Sequence, residues 1–436
     1  MTALSLDTST LDMRRGACPA LSAPMQTGDG LLARIALTEA LHPLQLVALC
    51  RLARRHGNGI LDISARGNLQ VRGLTGLSAP QLDAEVRALQ LPLRDGLAVE
   101  VPPLAGMDPD ETADPRPLAA AIRDGAADIA GLAPKMSVVV DGGGRLRLSA
   151  LLADIRLVAK CNDGGIGWTL LLGGTEAAGG IHGVLNEMDA ASATLALLRE
   201  LASRGPIARG RDLASGLPRH AAAAQPNSPF GLHPLAPDLA AAGIGPAFGQ
   251  IDAERLAALC EEAVPLGMTA VKPAFDHSLL FFGPPDACER LLAVADLNGF
   301  VTSGNDPRSS IAACPGRPAC ASGEIETHAL GALAARECGD LLDGSFKLHV
   351  SGCAKGCAHP QPSPITLCGT PAGLAWIAGR AADPALAVID PHDIATALGR
   401  VSALVRTERR AGEQSAACLS RLGPDRISAY LMSGQP

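Results

Sequence analysis

The strongest constraint on this chain is that it repeats itself. Residues 45–73 and 255–283 align without a gap at an offset of 210 residues. Leu46, Ala48, Leu49, Cys50, Ala53, Gly57, Leu69 and Gly73 match Leu256, Ala258, Leu259, Cys260, Ala263, Gly267, Leu279 and Gly283. In each copy the apolar residues recur at helical spacing and stop at a glycine, Gly57 or Gly267, where a left-handed C-cap belongs. Two short strands follow each helix, and one precedes it, at 31–37 in the first copy and 247–251 in the second.

Each unit therefore reads as β-α-β-β, half of a ferredoxin-like sandwich. A fainter echo links 135–140 with 347–352. The first is expected to be a strand that enters the Gly142-Gly143-Gly144 turn and returns at 145–148. The expected class is α+β, with two ferredoxin-like half-domains and two α/β domains related by a pseudo-twofold. The expected boundaries are 15–100, 105–205, 239–310 and 311–436, and the stretch 206–238, rich in Pro, Ala and Gly, reads as a linker.

Composition narrows the class of function. A chain of 436 residues with 47% hydrophobic and 19% charged residues is a multidomain globular protein. Its net charge of −7 argues against nucleic acid as the main partner. No stretch approaches the length of a membrane span, and residues 1–15 lack an apolar signal core, so a cytoplasmic location is expected. In that reducing compartment thiols persist without disulfides.

Four of the twelve cysteines stand out. Cys314 and Cys320 form C-x5-C, and Cys353 and Cys357 form C-x3-C after 32 intervening residues. Pro315, Gly316 and Pro318 keep the first pair out of a helix, and Gly352 and Gly356 free the backbone of the second. Wrapping loops of this kind suit a 4Fe–4S cube, with one thiolate on each iron. Zinc knuckles favour shorter spacing, which makes zinc a poorer fit, and unliganded cysteines in glycine-rich loops are the bland alternative. Cys18, Cys50, Cys161, Cys260, Cys288, Cys338, Cys368 and Cys418 are scattered and read as small buried hydrophobes. His349 and His359 flank the second pair, where a histidine binds a metal, relays protons or donates to sulfur.

The strand pair of the first repeat carries a basic set. Leu61, Ile63, Ala65, Leu69 and Val71 alternate with Asp62, Ser64, Arg66, Asn68, Gln70 and Arg72. One face is apolar, and the other presents Arg66, Gln70 and Arg72, with Arg34 on the preceding strand. Guanidinium forks pair with carboxylates, so this face suits a polycarboxylate ligand; the plain alternative is a solvated strand face. The second repeat has Asp276 where the first has Arg66, so the fold itself does not require the arginine.

Taken together, the repeat, the two cysteine pairs and the segment Arg66–Gln70 resemble the sulfite and nitrite reductase superfamily. Within it, the segments Arg15–Pro19, Met25–Gly30, Ser64–Gln70, Ala313–Cys320 and His349–Pro360 are most similar to the precorrin-3B synthase branch. The resemblance implies that Cys314, Cys320, Cys353 and Cys357 ligate a 4Fe–4S cluster. It implies that Arg34, Arg66 and Gln70 hold tetrapyrrole carboxylates, with Arg72 on the same face, and that Lys135 lies on the substrate side. It further implies precorrin-3A and dioxygen as substrates, electrons from NADH directly or through a reductase or ferredoxin, and a mononuclear non-haem iron. No His-x-Asp/Glu…His pattern identifies that iron's ligands. Ser137 stands where the reductases keep a second lysine, and Lys355 where they keep Asn. Loss of the anion-gripping lysine favours a tetrapyrrole substrate over the alternative, a siroheme-dependent sulfite or nitrite reductase.

Overall fold

The structure is a computed structural model describing residues 19–162, 165–219 and 228–432. Residues 15–18 of the N-terminal motif, Cys18 among them, lie outside the described residues, as does part of the expected linker. The architecture is α+β and duplicated at two levels.

The two copies of the first unit form two antiparallel sheets. One runs Met25–Thr27, Gly30–Ile35, Leu69–Leu74, Ile60–Ile63 and Gln250–Asp252 in spatial order. The other runs Gly231–Ala236, Leu239–Ile244, Ser278–Gly283 and Ala270–Ala274. Their helices, Pro43–His56 and Ala253–Leu266, start and stop 210 residues apart and pack on each other through one continuous core. Leu46, Leu49, Leu256 and Cys260 are all buried there.

The halves are joined by exchanged backbone pairing. Ile251 pairs with Leu61, and Leu41 pairs with Val271. Leu41 and Ile251 are equivalent positions of the repeat, as are Leu61 and Val271, so each half lends the same short segment to the other. This exchange explains one departure from the sequence reading. The strand expected at 247–251 is a 3-10 turn, Ala247–Gly249, followed by Gln250–Asp252 in the first half's sheet. The strand that occupies its expected place is Leu239–Ile244. Much of the stretch read as linker is likewise structured, with a 3-10 turn at Gly210–Leu213 and the edge strand Gly231–Ala236.

The glycine caps differ between copies. Gly267 is left-handed at φ 100°, as expected. Gly57 is extended, at φ −113°. It is needed for close approach instead, since a Cβ there would lie 2.2 Å from the Arg72 carbonyl oxygen.

The α/β regions repeat too. Ala98–Glu100, Ser137–Asp141, Ile155–Asn162, Gly165–Leu172 and Gly180–Leu185 form a sheet with two parallel pairs followed by two antiparallel ones. Ile311–Ala313, Leu348–Ser351, Ser363–Thr370, Gly373–Gly379 and Ala387–Ile389 form its counterpart with the same sequence of pairings. The expected return strand at 145–148 does not form. The Arg145 amide donates to Asp108 and the Leu148 amide to Asp141, so these groups are satisfied outside any ladder. Cys50, Cys260, Cys288, Cys338, Cys368 and Cys418 are buried as expected, whereas Cys161 is exposed. Among the described residues no helix is long and apolar enough to cross a membrane.

Because Leu61 is fully buried and sits on the exchanged pairing, Leu61→Ala should cost about 2–5 kcal/mol. Calorimetry would show a lowered melting temperature; an unchanged one would mean that this joint does not hold the halves.

Candidate active site

A cleft of about 890 Å³ opens between the first half-domain, the first α/β sheet and the loop that carries Cys357. That size is near the upper end for small-molecule sites. Its walls carry seven cationic side chains against the carboxylates of Asp95, Glu100 and Asp154. Such a wall attracts a ligand with several negative charges.

The positions of these cations follow from local structure. Arg34 lies on Gly30–Ile35, directly opposite Gln70. Arg66 occupies the tight turn between Ile60–Ile63 and Leu69–Leu74, bridged to Phe275 of the second half. The turn needs Gly67: its φ is 71°, and a Cβ would lie 2.9 Å from the Ala274 backbone. Arg66 Nη2 donates to the Leu152 carbonyl at 2.7 Å. Burial lowers its pKa, and Arg34 and Arg94 push the same way against Glu100 and Asp154. Arginine remains charged under any such shift.

Lys135 also lines the cleft, at a left-handed φ of 64° just before Ser137–Asp141. Arg209 braces this bend, donating to the Pro134 carbonyl at 2.8 Å while its Nε lies 3.3 Å from Asp154. Asp154 also accepts from the Ser137 and Gly210 amides, at 3.1 and 3.0 Å, and so ties 209–210 to the sheet. Ser137 lines the cleft beside Lys135.

The cysteine pairs leave the same end of one sheet. Cys314 follows Ile311–Ala313 and Cys353 follows Leu348–Ser351, and these strands are parallel neighbours. The Gly352 amide donates to Cys314 Sγ at 3.1 Å, and Thr327 Oγ1 donates to the Cys314 carbonyl. Gly316 and Gly356 take φ values of 57° and 61°, which bend both loops back on themselves. All four thiols are free, and Cys357 lines the cleft. Burial raises its pKa, with Cys314, Cys353 and Cys320 adding to the rise, so the other three sulfurs lie within electrostatic reach. The turn 27–30 presses on this loop. A Cβ on Gly28 would lie 2.2 Å from the Ala321 amide and 2.5 Å from Cys320 Cα.

His349 is fully buried, with neither ring nitrogen hydrogen-bonded, and its ring meets His359 edge-on at 5.8 Å. Burial, with His359 adding, lowers its pKa to about 4, so the ring is neutral at pH 7. Lys355 Nζ donates to Ser322 at 2.9 Å. Among the described residues no three His, Cys, Asp or Glu side chains gather closely enough to hold a single metal ion. A cube does not require this, because each of its thiolates binds a different iron.

Residues 23–89 match the family described as nitrite/sulfite reductase ferredoxin-like half domain. A precorrin-3B synthase from Sinorhizobium sp. is 42% identical, over 97% of this chain and 95% of its own length. The chain belongs to the precorrin-3B synthase family. A ferredoxin–nitrite reductase from Synechococcus elongatus is 26% identical over 74% of this chain and 73% of its own. The structure of the Mycobacterium tuberculosis NirA protein superposes with a TM-score of 0.68 at 19% identity, over 91% of this chain and 84% of that one, and shares the fold.

In this member of the precorrin-3B synthase family the structure gathers Arg34, Arg66, Lys135 and Cys357 around one cleft. Arg72 and Gln70 do not line it. Arg72 is buried between two carboxylates, with Nη2 2.7 Å from Asp29 and Nη1 2.9 Å from Asp62. Strand parity assigned it to the correct face, but that face is covered by the neighbouring turn at Asp29. Arg87, Arg94, Arg209 and Arg211 line the cleft and were missed. Arg209 and Arg211 flank Gly210 in a stretch whose composition reads as linker, and that closely spaced arginine pair was the available signal.

Two arginines six residues apart should therefore behave oppositely. Arg72→Met leaves the buried Asp62 carboxylate without its cation and removes one partner of the half-buried Asp29, and should cost about 3–5 kcal/mol of stability. Arg66→Ala should leave the melting temperature within a few degrees of the wild type. Equal destabilisation by both substitutions would contradict this division of roles.

Proposed function

We propose that this chain hydroxylates precorrin-3A at C20 with dioxygen, after which the ring A acetate closes a γ-lactone, a step of aerobic cobalamin biosynthesis. One oxygen atom enters the macrocycle, and the other leaves as water with two electrons and two protons. Those electrons derive from NADH, directly or through a reductase or ferredoxin. The observation that carries the reading is a large cationic cleft, with Cys357 in its wall, in a chain 42% identical to a curated precorrin-3B synthase. Precorrin-3A bears several acetate and propionate arms, which are natural partners for arginine forks.

Cys314, Cys320, Cys353 and Cys357 fit one 4Fe–4S cluster: four free thiols on two adjoining loops, one already accepting a backbone N–H. Bound there, the cluster supplies single electrons beside the cleft. Arg34, Arg66 and Arg94 fix the macrocycle through its carboxylates, which holds C20 in one orientation. Lys135 adds a further cation to the lining of the cleft. Ser137 leaves the site with one lysine, which suits an organic substrate better than a small oxyanion. The mononuclear iron implied by resemblance finds no fitting ligand set among the described residues, and no step here depends on it.

Arg66→Ala should raise the dissociation constant for precorrin-3A roughly ten- to hundredfold, the loss of a contact of about 1.5–3 kcal/mol, with iron content unchanged. Cys353→Ser should lower iron and acid-labile sulfide and abolish turnover. With ¹⁸O₂, one labelled atom should appear in the product's new oxygen substituent. Purified protein that holds siroheme tightly and reduces sulfite or nitrite would replace this reading with the reductase one.

A further inference from the structure

Behind the cleft lies a second cavity of about 60 Å³. It shares Arg66, Asn68, Arg94 and Glu100 with the cleft and is also lined by Lys272 and Arg123. A water molecule's share of liquid volume is about 30 Å³, so the space holds one carboxylate group or a small oxyanion.

Its charges do not balance. Four cations and one carboxylate, Glu100, line it, and Glu100 already sits 2.8 Å from Arg94. Arg123 Nε is buried with no hydrogen-bond partner. Among the described residues Lys272 takes part in no ion pair. Burial and Arg116 lower its pKa, against Glu100, Glu39 and Glu111, which lie within electrostatic but not contact range.

The repeat shows that the lysine is not a demand of the fold. Lys272 and Phe282 stand at the positions of Asp62 and Arg72, which form an ion pair in the first half. In the second half the partner has become Phe282, leaving Lys272 with no opposite charge from that strand. A half-buried cation without a counter-charge is disfavoured, and an anion in the cavity relieves it.

We propose that this cavity is an anion subsite in which Lys272 and Arg123 hold one carboxylate or small oxyanion. The anion is either an arm of the cleft's ligand that passes Arg66 or a free ion.

Formate is the probe. The melting temperature of the full-length protein is measured in sodium formate and in sodium chloride at equal ionic strength. The wild type should gain a saturable formate-specific rise that Lys272→Met abolishes and Arg123→Gln reduces at least severalfold. If Lys272→Met does not fold, Arg123→Gln carries the comparison. No formate-specific rise in the wild type, or an equal rise in the folded variants, would overturn the subsite. Adding precorrin-3A identifies the source: an arm of the macrocycle raises the apparent Kd for formate at least tenfold, whereas a free-anion site leaves it unchanged. The formate comparison requires no macrocycle, so its failure is separable from failure of the precorrin reading.

Discussion

The exchanged pairing between the two halves is the constraint on which the rest depends. Ile251 on Leu61 and Leu41 on Val271 lock two sheets together through equivalent positions, and the helices Pro43–His56 and Ala253–Leu266 close one core across the joint. With both halves sharing a core, they cannot rotate without exposing Leu46, Leu259 and Cys260. The turn that carries Arg66 is held by Phe275 and Ala274 of the opposite half. Cys320 is held against Gly28 in the same manner. Groups distant in sequence therefore meet across a rigid boundary, which is what orientation of a large substrate requires.

On that common frame the halves have diverged by charge and by thiol. The ladders Val138–Ile155 and Val350–Leu367 are equivalent, 212 residues apart. Counted by that register, Asp141 and Arg145 stand where Cys353 and Cys357 stand. The first half fills its loop with ion pairs, Asp141 to Arg147 and Arg145 to Asp108, whereas the second leaves four free thiols. Asp276 in place of Arg66 completes the asymmetry. One equipped cleft on a twofold scaffold is the result.

Much of this was legible because it is local. Helical periodicity placed Pro43–His56 and Ala253–Leu266, and glycine and proline around Cys314–Cys320 and Cys353–Cys357 marked the loops. Arg34 followed from strand position, whereas Arg66, read as part of the same strand face, lies in the turn between Ile60–Ile63 and Leu69–Leu74. What stayed hidden depends on tertiary context. Parity assigned Arg72 a face but not the Asp29 turn that covers it. The 145–148 segment carries strand-like spacing, yet the carboxylates of Asp108 and Asp141 capture its amides. Arg94, Arg209 and Arg211 come from connections without periodicity, and only the fold brings them to the cleft.

In the proposed function the cationic cleft receives a polycarboxylate tetrapyrrole against the wall formed by Cys357. Electron paramagnetic resonance of the reduced protein, titrated with precorrin-3A under anaerobic conditions, tests it most directly. The expected result is a reduced 4Fe–4S signal whose g values change saturably, with a midpoint that matches the independently measured Kd. Precorrin-3A that binds while leaving the cluster signal unaltered, or a reduced protein with no cluster signal, would contradict it.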